Sequence, residues 1–147
     1  SDVLRGESID GEYWVIPSGS YSDNDWHLIV VTAAAGTVKT YVDNALVGTR
    51  SCSNNLVFDW LIGANYLARR LYGGIDELAV WSNPLGVSDI AKLWGNGTVT
   101  GRGYPGNVQR QYLTNYWNFE NKSGTTIYDV IGGNNGTLTD NADIVSH

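Results

Sequence analysis

Asp76 and Glu77, in the stretch IDELAVW, are the carboxylates of this 147-residue chain most suggestive of acid/base work. Hydrolysis of a glycosidic bond uses two carboxyl groups held a fixed distance apart across the scissile bond. Adjacent residues of a strand project to opposite faces, so this pair cannot share a substrate. Neither has a carboxylate partner two residues away along the strand. Asp76 is therefore expected to accept backbone hydrogen bonds near a sheet end. His27 has no Ser or Cys nucleophile arranged near it, which argues against a triad and for a packed strand residue. His147 is terminal. Cys52 is the single cysteine, which excludes an intrachain disulfide or a Cys-rich metal site and suggests a buried thiol.

Binding chemistry has a better candidate. The stretch NYLARRLYGG places Asn65, Tyr66, Arg69, Arg70 and Tyr72 in a loop at a strand end. This is a mixture of hydrogen-bond donors and aromatic rings suited to a ligand surface, and equally the make-up of a loop making contacts within an assembly. The chain has six Trp. Trp26, Trp60, Trp81 and Trp117 fall in strands with apolar neighbours and Trp94 on a helix face, so most are expected in the core.

These residues need strands to hold them. Hydrophobic residues make up 42% of the chain and charged ones 16%, with 18 Gly, 3 Pro and 12% aromatics. That profile predicts an all-β protein with many tight turns. The net charge of −6, with nine scattered Lys and Arg, argues against a nucleic-acid partner. No run of 18 apolar residues occurs, so no membrane-spanning helix is predicted. The sequons at Asn96, Asn121 and Asn135 arise easily by chance in such a composition.

A strand is expected over 12–18, a polar loop over 20–25 and a strand from Trp26, apolar on both faces and so central in a sheet. A turn at 34–36 leads to a partner strand, and Asp43-Asn44 makes a two-residue hairpin because both types tolerate positive φ. Further strands are expected over 55–66, 75–81, 112–120 and 125–131. Ile90, Leu93 and Trp94 share one face of a short helix, with Ser88 as its cap and Gly95 as its end. Residues 98–111 have no periodicity and are predicted to be a linker or long loop.

The order WHLIVVT (26–32), YVDNALV (41–47), LIGANY (61–66) and YGGIDELAVWSNPLGVSDIAKLW (72–94) resembles the second half of a laminin G-like domain, which has a concanavalin A-like jelly-roll fold. YWNFENKSGTTIYDVIGGNNGTL (116–138) resembles the first strand of the same family. The first-strand motif thus follows the last-strand motif, and the family's intervening strands are missing or only vaguely represented by residues 1–18. The chain then reads as a permuted domain or as a window cut from a tandem array, half of one domain plus the start of the next, and divides into the second half of a sandwich (1–97), a linker (98–111) and a first-strand segment (112–147). That segment packs onto the same sandwich, with 116–120 beside 75–81, or shares a sheet with a neighbouring chain.

The resemblance implies an antiparallel β-sandwich with one short helix. It implies a non-catalytic binding or adhesion module at an extracellular or virion surface, taking a glycan or protein through its loops. The alternative is a structural decoration or tail component of a phage or other large assembly, self-assembling with its neighbours. The absence of Met and the incomplete strand inventory fit that alternative. A glycoside hydrolase is a weaker alternative. Related domains often hold Ca²⁺ through Asp, Asn and carbonyl oxygens. The corresponding candidates are Asp23, Asn24 and Asp25 in one loop, and Asp129 with Asn134 and Asn135 in another, which otherwise read as turn residues making local contacts.

Overall fold

Turn residues in left-handed conformations set the ends of most strands. The computed structural model describes residues 5–7, 13–15, 21, 23–52, 71, 73–95, 102–120, 122–139 and 142–143, the first two stretches by their backbone. The expected strand over 55–66 lies outside them. The chain divides into two compact units, each assembled from two chain segments: Ser1–Trp60 with Pro84–Tyr104, and Leu61–Asn83 with Pro105–His147.

In the first unit β1 (Arg5–Glu7) pairs antiparallel with β2 (Tyr13–Val15). A meander follows, in the order β3 (Ile29–Ala34), β4 (Thr37–Val42), β5 (Ala45–Ser51). Ala35 and Gly36 join β3 to β4 with φ of 48° and 71°. Asp43 and Asn44 join β4 to β5 with φ of 50° and 68°, the backbone that a two-residue hairpin of matching twist requires. The register places Thr40 opposite Gly48 but Tyr41 opposite Leu46, so Val47 is the extra residue of a β-bulge.

β4 is the middle strand and carries the core: Val38, Thr40, Tyr41 and Val42 are all buried. Among the described residues β3 pairs on one side only, with β4, and one of its faces is open, with Ile29 at 45% exposure. Trp26 precedes the strand and is 38% exposed, so it is not a core residue. An apolar pattern on both faces does not require that both be covered.

The helix α1 (Val87–Trp94) buries Ile90 and Leu93 and half-buries Trp94, the face anticipated. Its cap is Gly86, in extended conformation and without a side-chain bond, earlier in the chain than Ser88. The Gly86 carbonyl accepts the Asp89 and Ile90 N–H groups at 3.0 Å. Asp89 lies in the first turn, where the helix dipole favours a negative charge, and pairs with Lys92 at 3.2 Å. Gly95 ends the helix with φ 61°, donating to the Ala91 carbonyl. Gly103 then crosses close to the helix end, donating to the Leu93 carbonyl at 2.9 Å. A Cβ at Gly103 would stand 2.1 Å from the Lys92 carbonyl oxygen.

In the second unit β6 (Leu78–Trp81) pairs antiparallel with β7 (Leu113–Trp117), Leu78 opposite Trp117 and Ala79 opposite Tyr116. Thr114 is the extra residue of a bulge here, and its hydroxyl donates to the Val80 carbonyl at 3.1 Å. The last-strand and first-strand motifs are thus joined in one ladder, over 113–117 rather than 116–120. β8 (Lys122–Ser123), β9 (Thr126–Ile127) and β10 (Gly136–Thr137) form a small sheet in the order β10-β9-β8. Tyr116 is fully buried, and Leu113, Val108 and Ile127 are also core.

β6 is shorter than the sequence suggests because Glu77 takes φ 55° and its N–H turns to its neighbour, the Asp76 carboxylate, at 2.9 Å. Phe119, also at φ 55°, follows the end of β7. Within the expected linker or long loop (98–111), and running on into Tyr112, the chain forms two 3₁₀ turns, Pro105–Asn107 and Arg110–Tyr112, with Pro105, Gly106 and Val108 buried.

Candidate functional site

In the first unit, Asp43 does more than make the turn. Its Oδ1 accepts the Leu28 N–H at 2.9 Å, and its own N–H donates to the Leu28 carbonyl at 2.9 Å. Its Oδ2 lies 2.7 Å from His27 Nδ1. The other ring nitrogen, Nε2, lies 3.0 Å from Asp23 Oδ1. Both nitrogens of an imidazole donate only when it is protonated, so the pair of carboxylates selects the cation. The Asp43 contact chiefly raises the His27 pKa above its ordinary value; partial burial opposes this, and Asp23 adds to the rise. Asp23 is held below the ordinary carboxylate value, first by the Asp25 N–H and then by His27. Tyr21 packs its ring edge-on to His27, centroids 5.4 Å apart.

His27 is therefore not simply a packed strand residue. It bridges the loop before β3 to the β4–β5 turn. Of the three candidate cation ligands in that loop, Asp23 serves His27 and the Asp25 N–H, Asn24 takes the left-handed turn position at φ 69°, and Asp25 is exposed. Arg102 donates from Nη2 to the Trp26 carbonyl at 2.7 Å, fixing the far end of the same loop.

In the second unit Asp129 is the centre of a dense cage. Its Oδ1 accepts the N–H groups of Tyr116, Ile131 and Gly132 at 2.9, 3.0 and 3.0 Å. Its Oδ2 accepts the Asn115 amide at 2.6 Å and the Asn134 N–H at 3.1 Å. Its own N–H donates to Asn135 Oδ1. Burial of the side chain would raise the pKa, but the Tyr116 N–H, the Asn115 amide and the Gly132 and Ile131 N–H groups outweigh it and hold the carboxyl down to about 2. An ionised carboxylate offers about four lone-pair sites. A cation here would have to displace N–H donors from them. Asn134 meets Asp129 through its backbone, and its carbonyl accepts the Trp117 indole N–H at 3.0 Å.

Glu77 is the third carboxylate of interest. The hydroxyl of the fully buried Tyr116 donates to it. Desolvation raises its pKa above the ordinary value; the Tyr116 bond opposes this, while Asp76 and Glu120 add to the rise. The left-handed backbone at Glu77 defeats simple alternation with Asp76. Their side chains still part: Asp76 turns to the Glu77 N–H and Glu77 to Tyr116.

The loop residues Asn65, Tyr66, Arg69, Arg70 and Tyr72 lie outside the described residues; their neighbour Leu71 is 43% exposed. Among the described residues no group of three or more His, Cys, Asp or Glu is placed to hold a metal ion. Among them, too, no helix is long and apolar enough to cross a membrane. The Asp43–His27 and Asp129 nodes escaped sequence reasoning as structural hubs. Each Asp sits at a turn, a readable signal, but the partners that tie it to another element come from 13 to 16 residues away, Leu28 and His27 for Asp43 and Asn115 and Tyr116 for Asp129.

Among curated proteins and among solved structures, none matches the chain. A family model does match, that of the Concanavalin A-like lectin/glucanases superfamily, over residues 4–91. This is more than half of the chain, and it ends inside α1, before β7. Domains of the laminin G-like kind bind carbohydrate or protein and are generally non-catalytic, although the superfamily includes hydrolases. With its antiparallel sheets and short helix, the chain belongs to the concanavalin A-like lectin/glucanase superfamily as an all-β domain of laminin G-like type.

Proposed function

We propose that this chain is a non-catalytic binding module of an extracellular or virion surface protein, taking a glycan or protein through its loops. The observation that carries the proposal is the family match over residues 4–91. The described carboxylates support it. Asp129, Asp43, Asp89 and Asp76 are each engaged by backbone or side-chain donors of the fold itself, as structural groups are. In this reading Asn65, Tyr66, Arg69, Arg70 and Tyr72 form one binding loop.

A glycan array together with a cell-surface binding assay tests it. Retention that weakens on Arg69→Ala or Tyr72→Ala, with unchanged thermal unfolding, is the expected result. Hydrolysis of a β-glucan would overturn the non-catalytic assignment. Stable oligomers on sizing with no ligand retained would replace the reading with that of an assembly component. A melting temperature raised by calcium and lowered again by chelator would add a cation to the Asp23–Asp25 loop, and an unchanged one would remove it.

A further inference from the structure

The turn that carries Asn134 and Asn135 ends on a step that can react without an enzyme. Asn135 is followed by Gly136, one of two Asn-Gly steps in the chain and the one that lies within the described residues. A backbone nitrogen can attack the side-chain carbonyl carbon of an asparagine just before it, and glycine, with no Cβ, hinders that approach least. The Gly136 nitrogen gives up its proton and bonds to Asn135 Cγ, the Cγ–Nδ2 bond breaks, and ammonia leaves. Water then opens the resulting cyclic imide on either side. One opening leaves aspartate. The other leaves isoaspartate, in which the main chain runs through the side-chain carboxyl and is one methylene longer. Gly132, Gly133, Asn134 and Asn135 are exposed, so water reaches the turn.

The fold holds both reacting groups in place. Asn135 Oδ1 accepts the Asp129 N–H at 3.1 Å. Asn134, just before it, is fastened twice: its N–H donates to Asp129 Oδ2 at 3.1 Å, and its carbonyl accepts the Trp117 indole N–H at 3.0 Å. On the other side Gly136 stands opposite Ile127 and Thr137 opposite Thr126, and the Leu138 N–H donates to the Thr125 carbonyl at 2.7 Å. Antiparallel pairs alternate between hydrogen-bonded and non-hydrogen-bonded ones. With Leu138 bonded to Thr125, the alternation gives the bonded pairing to Gly136 and Ile127, two residues on, which ties the Gly136 N–H into the ladder. Ile127 is 4% exposed, so this ladder is rooted in the core.

We propose that Asn135-Gly136 is a deamidation site guarded by the fold: it survives while β9 and β10 are paired, reacts when they part, and as isoaspartate keeps them from closing again. The last step follows from register. An added methylene between residues 135 and 136 offsets Gly136 and Thr137 from Ile127 and Thr126, and a strand of two residues has no further pairs to absorb the offset. Either product also sets a second carboxylate beside Asp129, whose N–H residue 135 has been holding. A transient opening of the small sheet thus becomes a permanent one.

The wild-type protein is incubated in mildly alkaline buffer, folded and in guanidinium chloride. Peptide mass spectrometry with isoaspartate detection follows residue 135 over time. Folded protein converts at least about tenfold more slowly than denatured protein, as a group reached only by local opening does. Denatured Gly136→Ala converts more slowly than denatured wild type, because a methyl group hinders the attacking nitrogen, and this comparison does not depend on whether the variant folds. Asp129→Asn, which loosens the turn, converts faster than wild type in native buffer. Protein carrying isoaspartate at residue 135, separated by ion exchange and returned to native buffer, exchanges the Leu138 amide hydrogen faster than unconverted protein. Equal rates in the folded and denatured states, or an Asp129→Asn rate equal to that of wild type, would overturn the guard. Denatured wild type that stays intact at residue 135, or converts no faster than denatured Gly136→Ala, would overturn the site. Unchanged exchange at Leu138 would overturn the permanent opening.

Discussion

Replacing Asp129 with asparagine isolates the free energy stored in its charged cage. The native carboxyl titrates at about 2 against an ordinary 3.8. At about 1.4 kcal/mol per decade, that difference makes ionised Asp129 worth about 2.5 kcal/mol to the folded state at neutral pH. The sign follows from a depressed folded pKa. The contribution is complete above the unfolded value and is lost as pH falls from about 4 toward 2. The substituted side chain has nearly the same shape but one acceptor oxygen, and its amide group faces N–H donors that the carboxylate had satisfied. Urea unfolding of both proteins is followed by tryptophan fluorescence, since Trp117 reports on the same node through its bond to the Asn134 carbonyl. Wild type exceeds Asp129→Asn by about 2.5 kcal/mol or more at pH 7, and the pH-dependent part of that margin shrinks to roughly half by pH 3. Other carboxylates titrate equally in both proteins and cancel in the difference. A margin that stays flat from pH 7 to pH 3, or that is absent at pH 7, would refute the reasoning.

Gly132→Ala tests the same region by sterics. A Cβ there would stand 2.3 Å from the Thr114 carbonyl oxygen and 2.6 Å from the Asn115 amide, both held in β7, so a loss on the order of 3 kcal/mol is expected in urea unfolding. For His27 the raised pKa means that the imidazolium bridge contributes its full stability below about pH 6.5 and loses it as pH rises through the folded value. His27→Gln should therefore differ from wild type most at pH 5–6, and an NMR titration placing His27 at or below 6.5 would contradict the bridge. For Glu77 the raised pKa means that ionisation works against the fold as pH rises. Glu77→Gln keeps an acceptor for Tyr116, so it should unfold at a higher temperature than wild type at pH 7 and at the same temperature near pH 3. A lower melting temperature at pH 7 would show that the charge is worth keeping.

What the sequence reveals here depends on how far apart the interacting groups lie along the chain. The Asp43-Asn44 hairpin is readable because its requirement is local: two positive φ angles at residue types that accept them. The Gly95 helix end is readable for the same reason. The helix start is misread because Ser88, a good cap by type, lies inside the first turn, while Gly86 supplies the needed backbone without any side chain. Alternation correctly buries Val38 and Val42, yet it cannot place β3, β4 and β5 in their order, since that is decided by which strands pair.

The loop at 105–112 shows the limit most clearly. Its composition of Gly, Pro, Asn and Gln reads as a linker, and nothing within those residues contradicts that. Its rigidity comes from Trp81, whose indole reaches the Val108 carbonyl across 27 residues. That reach exists because the last-strand and first-strand motifs pair as β6 and β7, with Trp81 opposite Leu113 immediately after the loop. The order of motifs that looks inverted along the chain therefore has a physical consequence. It turns a connecting segment into a platform anchored at Val108 and Tyr112, and the polar side chains that make the segment look like linker are the ones such a platform leaves facing solvent.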